Sequence, residues 1–172
     1  MDYLKNEYSL HQIGGGPSLE KNSIIDESQF LHDDSGRQIW VVRAIDKEDK
    51  DLRLDIINGR TQANLKTFVV NHIAPGTHLV HDGWVSYTFL DSEDSVYTDE
   101  EHNHGAGNFG EDLNSTSYLE GVWSWIKSEI KFLYRIMPHN RYIYSIKESE
   151  YKYILSKLTK KQRENHFCRI LK

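Results

Sequence analysis

The sequence predicts a mixed α/β fold in which a five-stranded sheet is flanked by helices. Three observations lead there. Three closely spaced apolar segments between Ser23 and Ile56 read as strands. A helical segment then separates them from a further strand at Thr77-His78-Leu79-Val80. After a polar, glycine-bearing stretch, the remainder of the chain reads as helix.

Taken in order, residues 1–21 read as a lead-in segment. Gly14-Gly15-Gly16-Pro17 is a loop without a preceding strand or a following Gly-Lys-Ser/Thr, so it is no phosphate-binding fingerprint. Ser23-Ile24-Ile25 form a short apolar strand ending at Asp26. The β-branched run Ile39-Trp40-Val41-Val42-Arg43-Ala44-Ile45 is the second strand, and a charged turn over 46–50 follows it. Leu52-Arg53-Leu54-Asp55-Ile56 alternates apolar and polar as a half-buried third strand does. The short gaps predict an antiparallel meander. Thr61 is an N-cap for a helix through about Ile73, with Leu65, Phe68 and Val69 turned inward and Pro75-Gly76 as the stop.

The strand at 77–80 delivers Asp82 at its C-terminal end, and residues 84–90 read as a short helix. Gly105, Gly107 and Gly110 break a polar loop. A long helix is expected from Ser117 to about Arg135, then one or two amphipathic helices between Tyr142 and Leu171. This order resembles the ribonuclease H-like arrangement. It divides the chain into a lead-in (1–21), a core (22–137) and a basic helical extension (138–172).

A chain of 172 residues, 38% hydrophobic and 27% charged, suffices for one globular domain with a substantial core. No apolar run approaches the length of a membrane span, so no membrane partner is expected. The start, Met1-Asp2-Tyr3-Leu4, lacks a basic segment followed by an apolar one. The single Cys168 excludes an internal disulfide and a cysteine-based zinc site, and a reducing, intracellular location is expected. The net charge of −5 is unevenly spread. Residues 1–120 carry 9 Lys+Arg against 22 Asp+Glu, or −13, while residues 121–172 carry 12 against 4, or +8. A basic C-terminal part suits phosphates, although such runs usually only solvate a face.

The chemistry centres on Asp26, Asp82 and Glu120, with Lys127 seven residues beyond the glutamate. Carboxylates from two strand ends and one helix can converge on Mg²⁺, a hard ion that prefers oxygen ligands. Each acid also has an ordinary role. Asp26 and Asp82-Gly83 suit turns, and Ser117-x-x-Glu120 is a capping box. Lys127 returns to the face of Glu120 and Lys131 follows four residues later, a cationic stripe suited to DNA phosphates. His102-x-His104 lacks two further ligands for zinc, which leaves His104 as a hydrogen-bonding group near the metals. Trp40, Trp84, Trp123 and Trp125 read as core rather than as base-stacking platforms.

The ordered series Ile25-Asp26-Glu27-Ser28, Gly36-Arg37-Gln38-Ile39-Trp40-Val41-Val42, Arg60-Thr61 and Pro75-Gly76-Thr77 leads to His81-Asp82-Gly83-Trp84. It continues through His102-Asn103-His104-Gly105, Phe109-Gly110 and Ser115-Thr116-Ser117-Tyr118-Leu119-Glu120 to Trp123 and Lys127. Over about 13–151 the chain resembles the DDE transposases of Merlin-type elements and their bacterial ISXO-type relatives. Arg43 stands where relatives tend to have Gly, and Tyr118 where close relatives often have His.

The resemblance implies cut-and-paste DNA transposition. Asp26, Asp82 and Glu120 would hold two Mg²⁺ ions, with Mn²⁺ as a substitute. Lys127, Lys131, His104 and Asn103 would contact DNA or support the site. DNA, as element ends and target, and further copies of the chain would be the partners, with a nuclear location in a eukaryotic host. The competing expectation is a non-catalytic remnant that binds DNA or protein.

Overall fold

Residues 22–48, 51–101, 121–130 and 139–170 are described by the computed structural model. Strand β1 spans Asn22–His32, β2 Gln38–Asp46 and β3 Leu52–Ile57. Both pairings are antiparallel, as the short connections require. The first strand is longer than its apolar stretch predicts. It does not end at Asp26 but carries Asp26-Glu27-Ser28-Gln29 through the middle of the ladder. Acidic residues fit a strand poorly on their own. Here the apolar β2 supplies the pairing, and the buried Arg43 and half-buried Arg60 meet the two carboxylates, as described below.

Helix α1, Gln62–His72, starts as expected: the Thr61 side chain accepts from the Asn64 N–H. Its buried face carries Leu65, Phe68 and Val69. Gly76, at φ +86, turns the chain into β4, His78–His81, which lies parallel to β1. The expected helix over 84–90 is a single 3-10 turn at Val85–Tyr87. A fifth strand, β5, follows at Thr98–Glu101, parallel to β4. Its Thr-Asp-Glu-Glu sequence has no apolar alternation, because its residues are largely exposed at the sheet edge. Such an edge strand is invisible to hydrophobic periodicity. The sheet order is β3-β2-β1-β4-β5. With β2 alone antiparallel to its two neighbours in a sheet whose β1, β4 and β5 are parallel, this is the ribonuclease H-like arrangement.

Residues 121–130 are helical (α2), α3 spans His139–Lys157 and α4 spans Lys160–Ile170. The expected start of the long helix at Ser117, its end near Arg135, and the glycine-broken loop lie outside the described residues. The sheet separates two apolar clusters. Ile25, Val42, Ala44 and Leu79 pack with α1 on one face. Ile24, Val41, Leu54 and Val80 pack on the other with Trp123 and Ile126 of α2 and with Tyr142, Ile146 and Tyr153 of α3. Trp123 is core, as expected, but Trp84 is 42% exposed. Among the described residues no helix is long and apolar enough to cross a membrane.

Candidate active site

Two sequence-predicted acids belong to the parallel β1–β4 pair: Asp26 lies within β1 and Asp82 directly follows β4. Asn22 lies opposite His78, Ser23 opposite Leu79 and Ile24 opposite Val80, an offset of 80 − 24 = 56. Asp26 and Asp82 have the same offset, 82 − 26 = 56, although the paired register ends at Ile24 and Val80 and β4 at His81. Neighbouring strands lie about 4.8 Å apart. Side chains alternate along a strand, so Asp26, inside β1, shares the face of Ile24, whereas Asp82 lies one residue past the end of β4. Both carboxylates are about one-third exposed, at 34% and 35%. The turn expected at Asp82-Gly83 coexists with this placement: Asp82 Oδ1 accepts from the Trp84 N–H at 3.1 Å. Gly83 has φ +73, and a Cβ there would run into the Glu101 side chain. The positive φ is what favours glycine here, since the end of the exposed Glu101 side chain can shift.

Each aspartate meets an arginine. Arg43, opposite Asp26 on β2, donates from Nη2 to Asp26 Oδ2 at 2.9 Å. The Trp123 indole N–H donates to the same oxygen at 2.7 Å. Arg43 is 1% exposed, and its guanidinium lies 4.4 Å from the centroid of the Trp123 ring. Burial pushes its pKa down to about 10, against the opposing pull of Asp26, so it remains a cation at neutral pH. Asp26 Oδ1 has no hydrogen bond to any described residue, which leaves it open.

On the opposite face of β1, Arg60 bridges two acids. It donates to Glu27 Oε1, and its Nη2 lies 3.6 Å from Asp82 Oδ2. Its guanidinium sits 4.1 Å from the Trp84 ring centroid and 5.4 Å from that of Trp40. Glu27 also accepts from the Tyr87 hydroxyl at 2.6 Å. Burial raises the Glu27 carboxyl above its usual range, outweighing the Tyr87 and Arg60 hydrogen bonds that lower it. Burial likewise raises the Tyr87 phenol well above its ordinary value, followed by the charges of Glu27, Asp26 and Asp82. The acidic field of all three carboxylates thus converges near one ring. His81 accepts from the Gly83 N–H through Nδ1, leaving its proton on Nε2 beside Asp99 Oδ2, 3.1 Å away.

Lys127 is exposed on α2, its Nζ 5.8 Å from the Trp123 ring centroid and 5.6 Å from that of Phe30. It therefore stands beside the residue that holds Asp26. Glu120, Lys131, His104 and Asn103 lie outside the described residues. Among the described residues no three His, Cys, Asp or Glu gather as a metal site. Asp26 and Asp82 nevertheless suit Mg²⁺ as donors: hard carboxylate oxygens on neighbouring chain segments, both part-exposed, with Asp26 Oδ1 unbonded among the described residues.

Sequence reading passed over Glu27, Arg60 and Tyr87, and read Trp123 only as core. A signal did exist in β2, where Arg43 interrupts six apolar residues. A charge in a buried strand demands a counter-charge, and Asp26 is the partner the register supplies.

The family model of the ISXO2-like transposase domain matches residues 15–153. No curated protein matches the chain. Similar solved structures include the catalytic core domain of HTLV-2 integrase in complex with magnesium, in its dimeric form. That one is 9% identical, with 80% of this chain and 86% of that chain covered and a TM-score of 0.47. The catalytic core domain of BIV integrase is 11% identical, with 81% and 84% covered and a TM-score of 0.48. A chain of the simian T-cell lymphotropic virus intasome in complex with PP2A regulatory subunit B56 gamma is 8% identical, with 83% and 57% covered and a TM-score of 0.49. At these values the likeness is one of outline, and no functional argument rests on it.

Proposed function

This chain belongs to the ISXO2-like transposase domain family, and we propose that it is the catalytic domain of a DDE transposase. Its activity is metal-dependent DNA cleavage followed by strand transfer in cut-and-paste transposition. The observation that supports the reading is that Asp26, within β1, and Asp82, one residue past β4, share the offset of 56 at which these two parallel strands pair.

Asp26, Asp82 and Glu120 would hold two Mg²⁺ ions, or Mn²⁺ in their place. When bound, the ions supply activation of an oxygen nucleophile and neutralise charge on the leaving oxygen. The chain's own residues fix the geometry. The Trp84 N–H orients Asp82, and Arg43 with Trp123 orients Asp26. Lys127, solvent-facing beside Trp123, contacts a DNA phosphate flanking the cut. The partners are DNA, as element ends and target, and further copies of the chain that pair two ends.

Nicking of supercoiled plasmid in Mn²⁺ tests the proposal. D82N is expected to lose nicking to background while keeping the wild-type circular dichroism spectrum. Undiminished nicking by D82N would sink the assignment.

One observation favours a second reading. Arg43 compensates the charge of Asp26 directly, as it would in a non-catalytic module for DNA or protein. Such a module would bind DNA without Mg²⁺, keep binding in D82N, and weaken steeply with salt.

A further inference from the structure

Asp26 is held more tightly than a metal-ligating carboxylate requires. Each carboxylate oxygen offers about two lone-pair sites. On Oδ2 both are taken, by Arg43 Nη2 at 2.9 Å and by Trp123 Nε1 at 2.7 Å. Oδ1 is the oxygen left without a bond to the described residues. The two arginines of the site also differ. The Arg60 side chain is 24% exposed, whereas that of Arg43 is 1% exposed and is stacked on Trp123. Swinging Arg43 into solvent would open the core between β2 and α2, so its charge stays beside Asp26 whatever binds.

We propose that Arg43 is a built-in counter-ion and positioning residue, which confines Asp26 to one-oxygen metal ligation through Oδ1 and holds the divalent-metal affinity of the centre low. The inference rests on the two-metal reading above. Two consequences follow from the geometry. A chelating, two-oxygen mode at Asp26 is closed, because Oδ2 is saturated. A permanent positive charge also lies across the carboxylate from the ion, and it opposes divalent binding by Coulomb repulsion. Weak loading leaves the metal readily exchangeable while Arg43 stays in place.

Mn²⁺ titration followed by the paramagnetic resonance of the free ion reads affinity without reference to activity. The expected result is that R43Q, which keeps a donor but removes the charge, binds Mn²⁺ about tenfold or more tightly than wild type. R43K, which keeps the charge, is expected to stay near wild type, and D82N is expected to weaken binding in every background. A purely structural role for Arg43 would lower the melting temperature of R43Q without tightening Mn²⁺. Equal, D82N-sensitive affinity in wild type, R43K and R43Q would overturn the inference and leave the transposase reading standing. Binding unaffected by D82N in every variant would overturn both.

An uncharged side chain in this core can fail to fold, so the wild-type protein supplies a second measurement. The Arg43 guanidinium protons, followed by nitrogen-15 resonance, are expected to remain in slow solvent exchange at saturating Mg²⁺. Exchange accelerated to the rate of an exposed arginine would show that the cation leaves Asp26, and would overturn the proposal.

Discussion

Asp33 holds the turn that sets β1 against β2, and so places Asp26 opposite Arg43. Its Oδ1 accepts from the Ser35 N–H at 2.9 Å, the Ser35 hydroxyl at 2.6 Å and the Arg37 N–H at 2.9 Å. Arg37 Nε donates to Oδ2 at 3.1 Å. These bonds favour the charged carboxylate, the Ser35 hydroxyl most, and bring its pKa from 3.8 down to about 2. A depressed carboxylate contributes stability that is fully present above 3.8 and is lost as pH falls through about 2. In thermal melts across that window, D33N is expected to show a smaller fall in melting temperature than wild type on acidification. Equal falls would remove Asp33 as the cause. At this scale, Asp26 and Asp82 stand out as candidates because an acid at the end of an apolar run needs a reason to be there. Arg43 and Arg60 were not assigned roles, because their partners lie 17 and 22 positions away along the chain, through pairings that periodicity does not specify.

Among the elements, α3 carries out a task that its sequence conceals. Lys147 and Glu150 read as solvated helix charges, yet they are 8% and 1% exposed. Lys147 Nζ donates to the Leu54 carbonyl at 2.6 Å, and Glu150 Oε2 accepts from the Leu54 N–H at 2.7 Å. The two side chains also pair with each other at 3.0 Å. Together they satisfy the N–H and C=O of Leu54 on the edge strand β3 and cover that part of the edge. Removing one partner of a buried pair strands the other charge. K147M is therefore expected to lower unfolding stability by about 3 kcal/mol or more, and K147M/E150L to recover part of that loss. Urea unfolding measures both, and a K147M loss below about 1 kcal/mol, the scale of an exposed pair, would contradict the account. The strands β2 and β3 and helix α1 were readable because apolar periodicity and a Thr61 cap mark them. The length of β1 and the presence of β5 were not, since pairing rather than side-chain pattern creates them.

For the whole molecule, the order β3-β2-β1-β4-β5 puts the segments that carry two acids 56 positions apart side by side, near a helix that supplies Trp123 and Lys127. The charge follows the same division, with −13 over residues 1–120 and +8 over residues 121–172. Exposed Lys160, Lys161 and Arg163 on α4 extend the basic part. An acidic centre for metal and a basic flank for phosphate are the two charge patterns a DNA-processing domain needs. The most direct measurement of that claim is anomalous scattering from Mn²⁺ in crystals of the protein with a DNA duplex. The account predicts Mn²⁺ bound by Asp26 Oδ1 and Asp82 at the edge of the β1–β4 pair, with Arg43 still on Asp26 Oδ2. DNA bound elsewhere, with no Mn²⁺ at either aspartate, would contradict it.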